Sequence, residues 1–260
     1  MVEISNRNGE TITEADQAQF LTSINKWLDK DVRHQVLELE HADAYPHEMV
    51  EQMKDMGLFG ATISQHYGGM GLPSQTYAKI VTTISEVWMS LTGIFNSHLI
   101  MAAAVERFGT EEQKSRLLTR MAKGELRGGL ALTEPDCGTD LQAIRTRAVR
   151  DGDDYVINGT KTWISNGLEG NCVALLVKTD TEIEPRHRGM SLFFAEKGPG
   201  FSASRKLKKL GYKGIDSAEL MFDDYRISPD NLIGGKEGEG FLQTMGGLEL
   251  GRINVAARGV

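Results

Sequence analysis

The chain has 260 residues, a formal net charge of −7 and an apolar fraction of 40%, enough for one large domain or two smaller ones with their own cores. An acidic balance without clustered Lys and Arg excludes a nucleic-acid or anionic-membrane surface, and the basic run at 205–209 reads as a solvated strand face. Two distant cysteines, Cys137 and Cys172, exclude a disulfide framework and a cysteine zinc site.

Residues 1–16 are polar and mixed in charge. They lack the apolar core of a secretory signal and the Arg-rich, acid-poor character of a transit peptide. No apolar run approaches the length of a membrane span, so a reducing cytoplasm is the expected compartment. Phe20, Leu21, Ile24, Trp27 and Leu28 fall on one helix face. Pro46 opens a second helix and Gly57 stands at its stop. Tyr77, Ile80, Val81, Ile84, Val87, Trp88 and Leu91 form a further stripe. Thr110 with Gln113 makes a capping box, and Gly124 ends the helix that follows. Nothing between residues 16 and 123 alternates like a strand.

The pattern changes at Gly128. Short apolar or alternating runs follow at 129–133, 144–150, 155–158, 161–165, 172–178, 191–196, 201–207 and 218–222. Asp151-Gly152, Asn158-Gly159 and Asn166-Gly167 are tight-turn signals between them. Strands this short and closely spaced point to a small barrel or sandwich, not a βαβ sheet. Past the glycines at 234, 235, 238 and 240 the chain turns helical again, over 241–260. The fold class is therefore α+β: an N-terminal all-helical domain (1–127), a small β-barrel or sandwich domain (128–236) and the start of a second helical domain (237–260).

Several familiar signatures fail. No glycine set fits a Rossmann fingerprint, and Gly235-Lys236 lacks the rest of a P-loop. His47-Glu48 has no second histidine four residues on, and His34, His41 and His47 do not converge on a metal. Asn158-Gly159-Thr160 matches a glycosylation sequon but reads as a β-turn.

Three segments carry chemistry. In 130–140 a strand enters a loop bent by Pro135 and Gly138, where successive amides and the Thr133 and Thr139 hydroxyls can form an anion site suited to a pyrophosphate. In 161–167, Trp163 and Ser165 lie two apart, on one face of a strand. An aromatic beside a hydroxyl donor suits a flat heteroaromatic ring, although from this segment alone core packing of Trp163 is the better reading. In 246–252, Glu249 and Arg252 are helix neighbours, either a surface ion pair or a polar-ligand site.

Taken in order along nearly the whole chain, these segments resemble the acyl-CoA dehydrogenase family. The resemblance is carried by Tyr45-Pro46-His47-Glu48, Gly57-Leu58-Phe59-Gly60, Tyr67-Gly68-Gly69-Met70-Gly71-Leu72 and Phe108-Gly109-Thr110-Glu111-Glu112-Gln113-Lys114. It continues through Thr133-Glu134-Pro135, the stretch 158–167, Asp230-Asn231-Leu232-Ile233-Gly234 and Gly238-Glu239-Gly240-Phe241.

The resemblance implies FAD as cofactor, an acyl-CoA thioester as substrate and an electron-transfer flavoprotein as electron acceptor, in a homo-oligomer (dimer or tetramer) or with a second chain completing the site. A glutamate takes the α-proton while the β-hydrogen leaves as hydride. By motif position, Leu130, Leu132 and Thr133 line the flavin edge, Gly138 and Thr139 approach its phosphates, Trp163 packs on the ring and Ser165 bonds near N5. Thr139, Glu249 and Arg252 match positions that contact the CoA portion. Leu130 and Thr139 depart mildly, since the family often has an aromatic and a serine there. The base belongs to a helical domain following this region, or in a minority of members to the position of Gly251, which can transfer no proton. The resemblance thus places no catalytic base in these residues. An oxidase or monooxygenase, and a non-catalytic binding protein, are the alternatives on the same fold.

Overall fold

The computed structural model describes residues 12–260, so most of the polar stretch read as lacking a targeting signal lies outside the described residues. Helix α1 (Glu14–Trp27) starts at a reciprocal Thr13/Asp16 cap, and a π-helical segment, Leu28–Val32, continues it. After α2 (Val36–His41) comes α3 (His47–Asp55). Pro46 is its N-cap residue, and Gly57 beyond it takes φ 78. Helix α4 (Ser74–Phe108) is followed by α5 (Glu111–Ala122), whose capping box is formed as expected by Thr110 and Gln113.

The expectation that no apolar run approaches the length of a membrane span needs correction at α4. Its apolar stripe continues past Leu91, giving a 35-residue helix long and apolar enough to cross a membrane. It is 78% buried over its most apolar window, as a core helix is. It is also bent: Trp88 has extended dihedrals (φ −154, ψ 102) within it. The indole of Trp88 donates to Glu40 Oε2 at 2.9 Å, and the amide of Lys213 donates to Glu40 Oε1 at 3.0 Å. A side chain tied to α2 and to a later loop supplies the cause such a kink requires.

Seven strands form one continuous curled sheet: β1 (Gly128–Ala131), β2 (Arg147–Asp151), β3 (Asp154–Ser165), β4 (Cys172–Lys178), β5 (Met190–Glu196), β6 (Phe201–Lys206) and β7 (Ser217–Ile227). β4 pairs with β5 antiparallel and with β1 parallel, while β3 joins β2 to β7. Cys172, Ala174 and Leu176 face the helical core, whereas Val173, Leu175 and Val177 face the interior of the sheet. β4 is buried on both faces, which is why it reads as an unbroken apolar run. The Asp151-Gly152 hairpin turn is present, with Asp151 paired to Asp154.

Asn158-Gly159 is not a turn. β3 runs straight through it, and the register against β7 shifts between Ile157 and Gly159. Asn158 exchanges hydrogen bonds with Asp224, which takes φ 48 on β7. Pairing to a long neighbouring strand overrides the local turn preference here. Helix α6 (Gly240–Arg258) follows the sheet and packs along α4, β5 and β4.

Candidate functional site

Beyond β1, the chain runs antiparallel beside the second half of β3. The Thr162 amide donates to Thr133 O at 2.9 Å. A β-carbon on Gly129 would lie 2.9 Å from Ser165 O. Leu130, Leu132 and Thr133 therefore border the segment that carries Trp163 and Ser165, and the structure brings these five together. Leu130, Leu132, Thr133 and Ser165 are half-buried, and the buried Ile164 separates Ser165 from Trp163.

Trp163 is the unusual member. It is 56% exposed, with φ 60 in the middle of a strand. The register shift between Lys161 and Ile164 makes it the extra residue of a bulge. A non-glycine residue with positive φ costs energy and marks a position fixed by its surroundings. Simple alternation therefore does not place the indole; the bulge turns it outward. Among the described residues, neither its Nε1 nor the hydroxyls of Thr133 and Ser165 have a hydrogen-bond partner. An exposed flat aromatic beside free donors fits a planar heterocycle that needs stacking and edge contacts.

The turn after β1 is held from below. Glu134 and Cys137 close a tight turn through reciprocal backbone bonds of 2.9 and 3.1 Å. Lys161, with a fully buried side chain, donates to Glu134 Oε1 at 2.8 Å and to Leu132 O at 3.1 Å. The Glu134 carboxylate also accepts from the Arg145 amide at 2.6 Å, the Thr146 amide at 3.0 Å and the Thr146 hydroxyl at 2.6 Å. Burial pushes the Lys161 pKa down to about 8, against the pull of Glu134. Burial opposes the charge on Glu134 too, but Lys161 and its hydrogen bonds prevail and hold the carboxyl below its ordinary range. Strand alternation puts Lys161 on the face of Trp163 and Ser165, and the bulge between Lys161 and Ile164 breaks that alternation, so the sequence alone does not mark the pair.

Gly138 and Thr139 are exposed on the loop that follows. A β-carbon on Gly138 would lie 3.9 Å from the Thr133 methyl group, so the two ends of this loop meet. Glu249 and Arg252 are not joined to this cluster. Glu249 pairs with Arg107 of α4 at 2.9 Å, not with Arg252. It lines a surface groove of about 400 Å³ between α4 and α6. Arg252 is exposed, and the buried Gly251 between them faces Ile100, 2.6 Å from where its β-carbon would be.

Burial raises the pKa of two carboxylates, Glu106 and Asp216. Glu106 accepts the Ser64 amide at 3.0 Å and Asp216 the Leu168 amide at 2.7 Å, so each helps to hold a loop. Among the described residues no His, Cys, Asp or Glu cluster could hold a metal, and His34, His41 and His47 are exposed.

Helices leading into one curled seven-stranded sheet and out again into a helix define an α+β class. Residues 14–125 match the N-terminal domain model of acyl-CoA dehydrogenases and residues 129–225 the middle domain model. The (2S)-methylsuccinyl-CoA dehydrogenase of Cereibacter sphaeroides is 38% identical over 224 residues, 83% of this chain and 41% of that protein. An acyl-CoA dehydrogenase from Geobacillus kaustophilus superposes with a TM-score of 0.88 at 35% identity, covering 95% of this chain and 65% of that one. A glutaryl-CoA dehydrogenase from Mycobacterium smegmatis, in complex with FADH2, gives a TM-score of 0.84 at 25% identity over 95% of this chain and 62% of its own. The chain thus spans less than two thirds of the length of each. It belongs to the acyl-CoA dehydrogenase family.

Proposed function

We propose that this chain supplies the FAD-binding part of an enzyme that converts acyl-CoA thioesters to trans-2-enoyl-CoA, with an electron-transfer flavoprotein as acceptor. The observation that carries the reading is Trp163, 56% exposed and held at positive φ on the strand that runs beside Leu132 and Thr133. When bound, FAD accepts the hydride equivalent that leaves the β-carbon.

The chain's own residues position and shield. Trp163 covers one face of the ring, and the Thr133 and Ser165 hydroxyls donate to its edge. Backbone groups of Leu130 and Leu132 line the same edge, while the loop at Gly138 and Thr139 faces the phosphates. Thr139, Glu249 and Arg252 remain the proposed CoA contacts, and the 2.9 Å Arg107–Glu249 pair must open or be shared for Glu249 to serve. By the family resemblance the α-proton goes to a glutamate of a following helical domain or of a partner chain, since Gly251 carries no acid.

An absorption titration of the complete enzyme tests this. Stoichiometric FAD and bleaching of its visible band by an acyl-CoA support the reading. A protein that takes up no flavin overturns it.

A further inference from the structure

Lys161 and Glu134 are joined inside the protein rather than on its surface, and they sit directly beneath the turn that borders Trp163. Lys161 has a fully buried side chain and Glu134 is 94% buried by the same measure, at 6% exposure. Isolated charges at such depth are costly, and even a paired one is no more stabilising than apolar residues of the same volume. Fold stability alone therefore gives this pair no advantage over a leucine and a methionine.

What the pair does is fix register. From adjacent positions on β3, the Lys161 ammonium takes the Leu132 carbonyl at 3.1 Å, and the Thr162 amide takes the Thr133 carbonyl at 2.9 Å. The next residue along β3 is Trp163. On the other side, Glu134 ties the same turn to the entry of β2 through the Arg145 and Thr146 amides. One ammonium group thus holds Leu132 and Glu134 of the turn, and one carboxylate ties that turn to Arg145 and Thr146. Thr133, half-buried, is thereby held opposite Thr162, the neighbour of Trp163 in β3.

We propose that Lys161 and Glu134 are a positioning pair: a buried clamp that sets the Leu132–Thr133 edge against Trp163 and so preorganises the flavin site. Neither touches the ring. The inference rests on the placement of FAD proposed above. Sites of this kind lose function when supporting groups let the binding edge drift by fractions of an ångström.

The test uses the full chain and four variants: Lys161→Met, Glu134→Gln, the double Lys161→Met/Glu134→Met, and Trp163→Ala. Lys161→Met leaves a buried carboxylate without its cation and fails to fold if that cost is too high. The double variant removes both charges and keeps the volume, so it carries the decision. In the flavin-free double variant, the Thr162 amide is expected to exchange about tenfold faster than in the unaltered chain, because its bond to Thr133 O is no longer held. Its FAD affinity is expected to fall about tenfold, and at saturation the vibrational structure of the bound flavin's visible band is expected to blur, with the melting temperature little changed. Glu134→Gln is expected to show a smaller loss in the same direction. Unchanged Thr162 exchange in the double variant overturns the clamp whatever the flavin does. Unchanged affinity and spectrum overturn its role in the site. Trp163→Ala separates the two ideas: if that variant keeps its FAD affinity, the proposed flavin placement fails, while Thr162 exchange still decides the clamp.

Discussion

The hydroxyl of Tyr212 stands 1.5 Å from the point where a β-carbon on Gly93 would be. Tyr212 itself adopts φ 61, and Arg258 donates to its hydroxyl at 2.5 Å. The loop between β6 and β7 thus drops a ring into the groove that a glycine opens in α4, and α6 grips the same ring. Gly93→Ala is expected to destabilise the protein by about 1–3 kcal/mol, the usual range for forcing extra carbon into a packed site. Tyr212→Ala in the same chain is expected to recover part of that loss. Denaturant midpoints of the two single variants and the double variant give the coupling, and strictly additive effects would show that the two residues do not share this space.

Trp163→Ala separates binding from folding. At 56% exposure the indole contributes little to the core, so the melting temperature is expected to move by no more than about 0.5 kcal/mol equivalent. Removal of a stacking face is expected to weaken FAD by about three- to tenfold. Fluorescence titration with FAD reads this directly. An unchanged dissociation constant would remove the indole from the site.

His98 sets an acid limit on stability. The ring is fully buried, with Nε2 3.0 Å from Phe59 O and its plane edge-on to the Phe59 ring. Burial, before any other cause, pushes its pKa down from 6.5 to about 4. The folded state therefore binds this proton less readily than the unfolded chain. The stability involved is complete above the unfolded pKa and is lost as pH falls from about 6.5 towards 4, in all about 3 kcal/mol. His98→Gln keeps a neutral donor for Phe59 O and cannot charge. Urea denaturation of this variant across that window is expected to give a flatter acid limb than the unaltered chain; an identical limb would assign the acid sensitivity elsewhere.

Much of the fold could be read from local chemistry. The Thr110/Gln113 cap, the Asp151-Gly152 hairpin and the doubly buried run of β4 all rest on interactions within a few residues or on a simple burial pattern. The failures share another physics. Asn158-Gly159 is a strong turn signal that pairing with β7 overrides, and the bend at Trp88 depends on Glu40, 48 residues away. At the site, Trp163 and Ser165 were legible as an aromatic and a hydroxyl on one strand, but the bulge that turns the indole outward was not. Lys161 and Glu134 lie 27 residues apart, and alternation puts the lysine on the face of Trp163, so no local signal announced a buried pair.

Glu40 joins three parts of the chain at one carboxylate. Its oxygens accept the Trp88 indole at 2.9 Å, the Ser90 hydroxyl at 3.4 Å and the Lys213 amide at 3.0 and 3.1 Å. Burial pushes its pKa up, but the bonds from Trp88 and the loop amides outweigh it, and the net direction is down. A depressed carboxylate contributes stability above its unfolded pKa and loses it as pH falls through the lowered folded value. Removing the carboxylate leaves a partly buried indole donor and a loop amide without an acceptor, so Glu40→Ala is expected to cost about 2–4 kcal/mol. The loss is expected to be local first. The bend at Trp88 and the loop before β7 are held to α2 by this group, and Gly214 in that loop bonds to Ser90 at 3.2 Å. Amide exchange of Lys213 and Gly214 is therefore expected to rise in Glu40→Ala at denaturant levels where the β4 amides remain protected. Glu40→Gln, which keeps one acceptor oxygen, is expected to fall between. If Lys213, Gly214 and β4 open together in both variants, Glu40 stabilises the whole fold evenly and does not pin the bend.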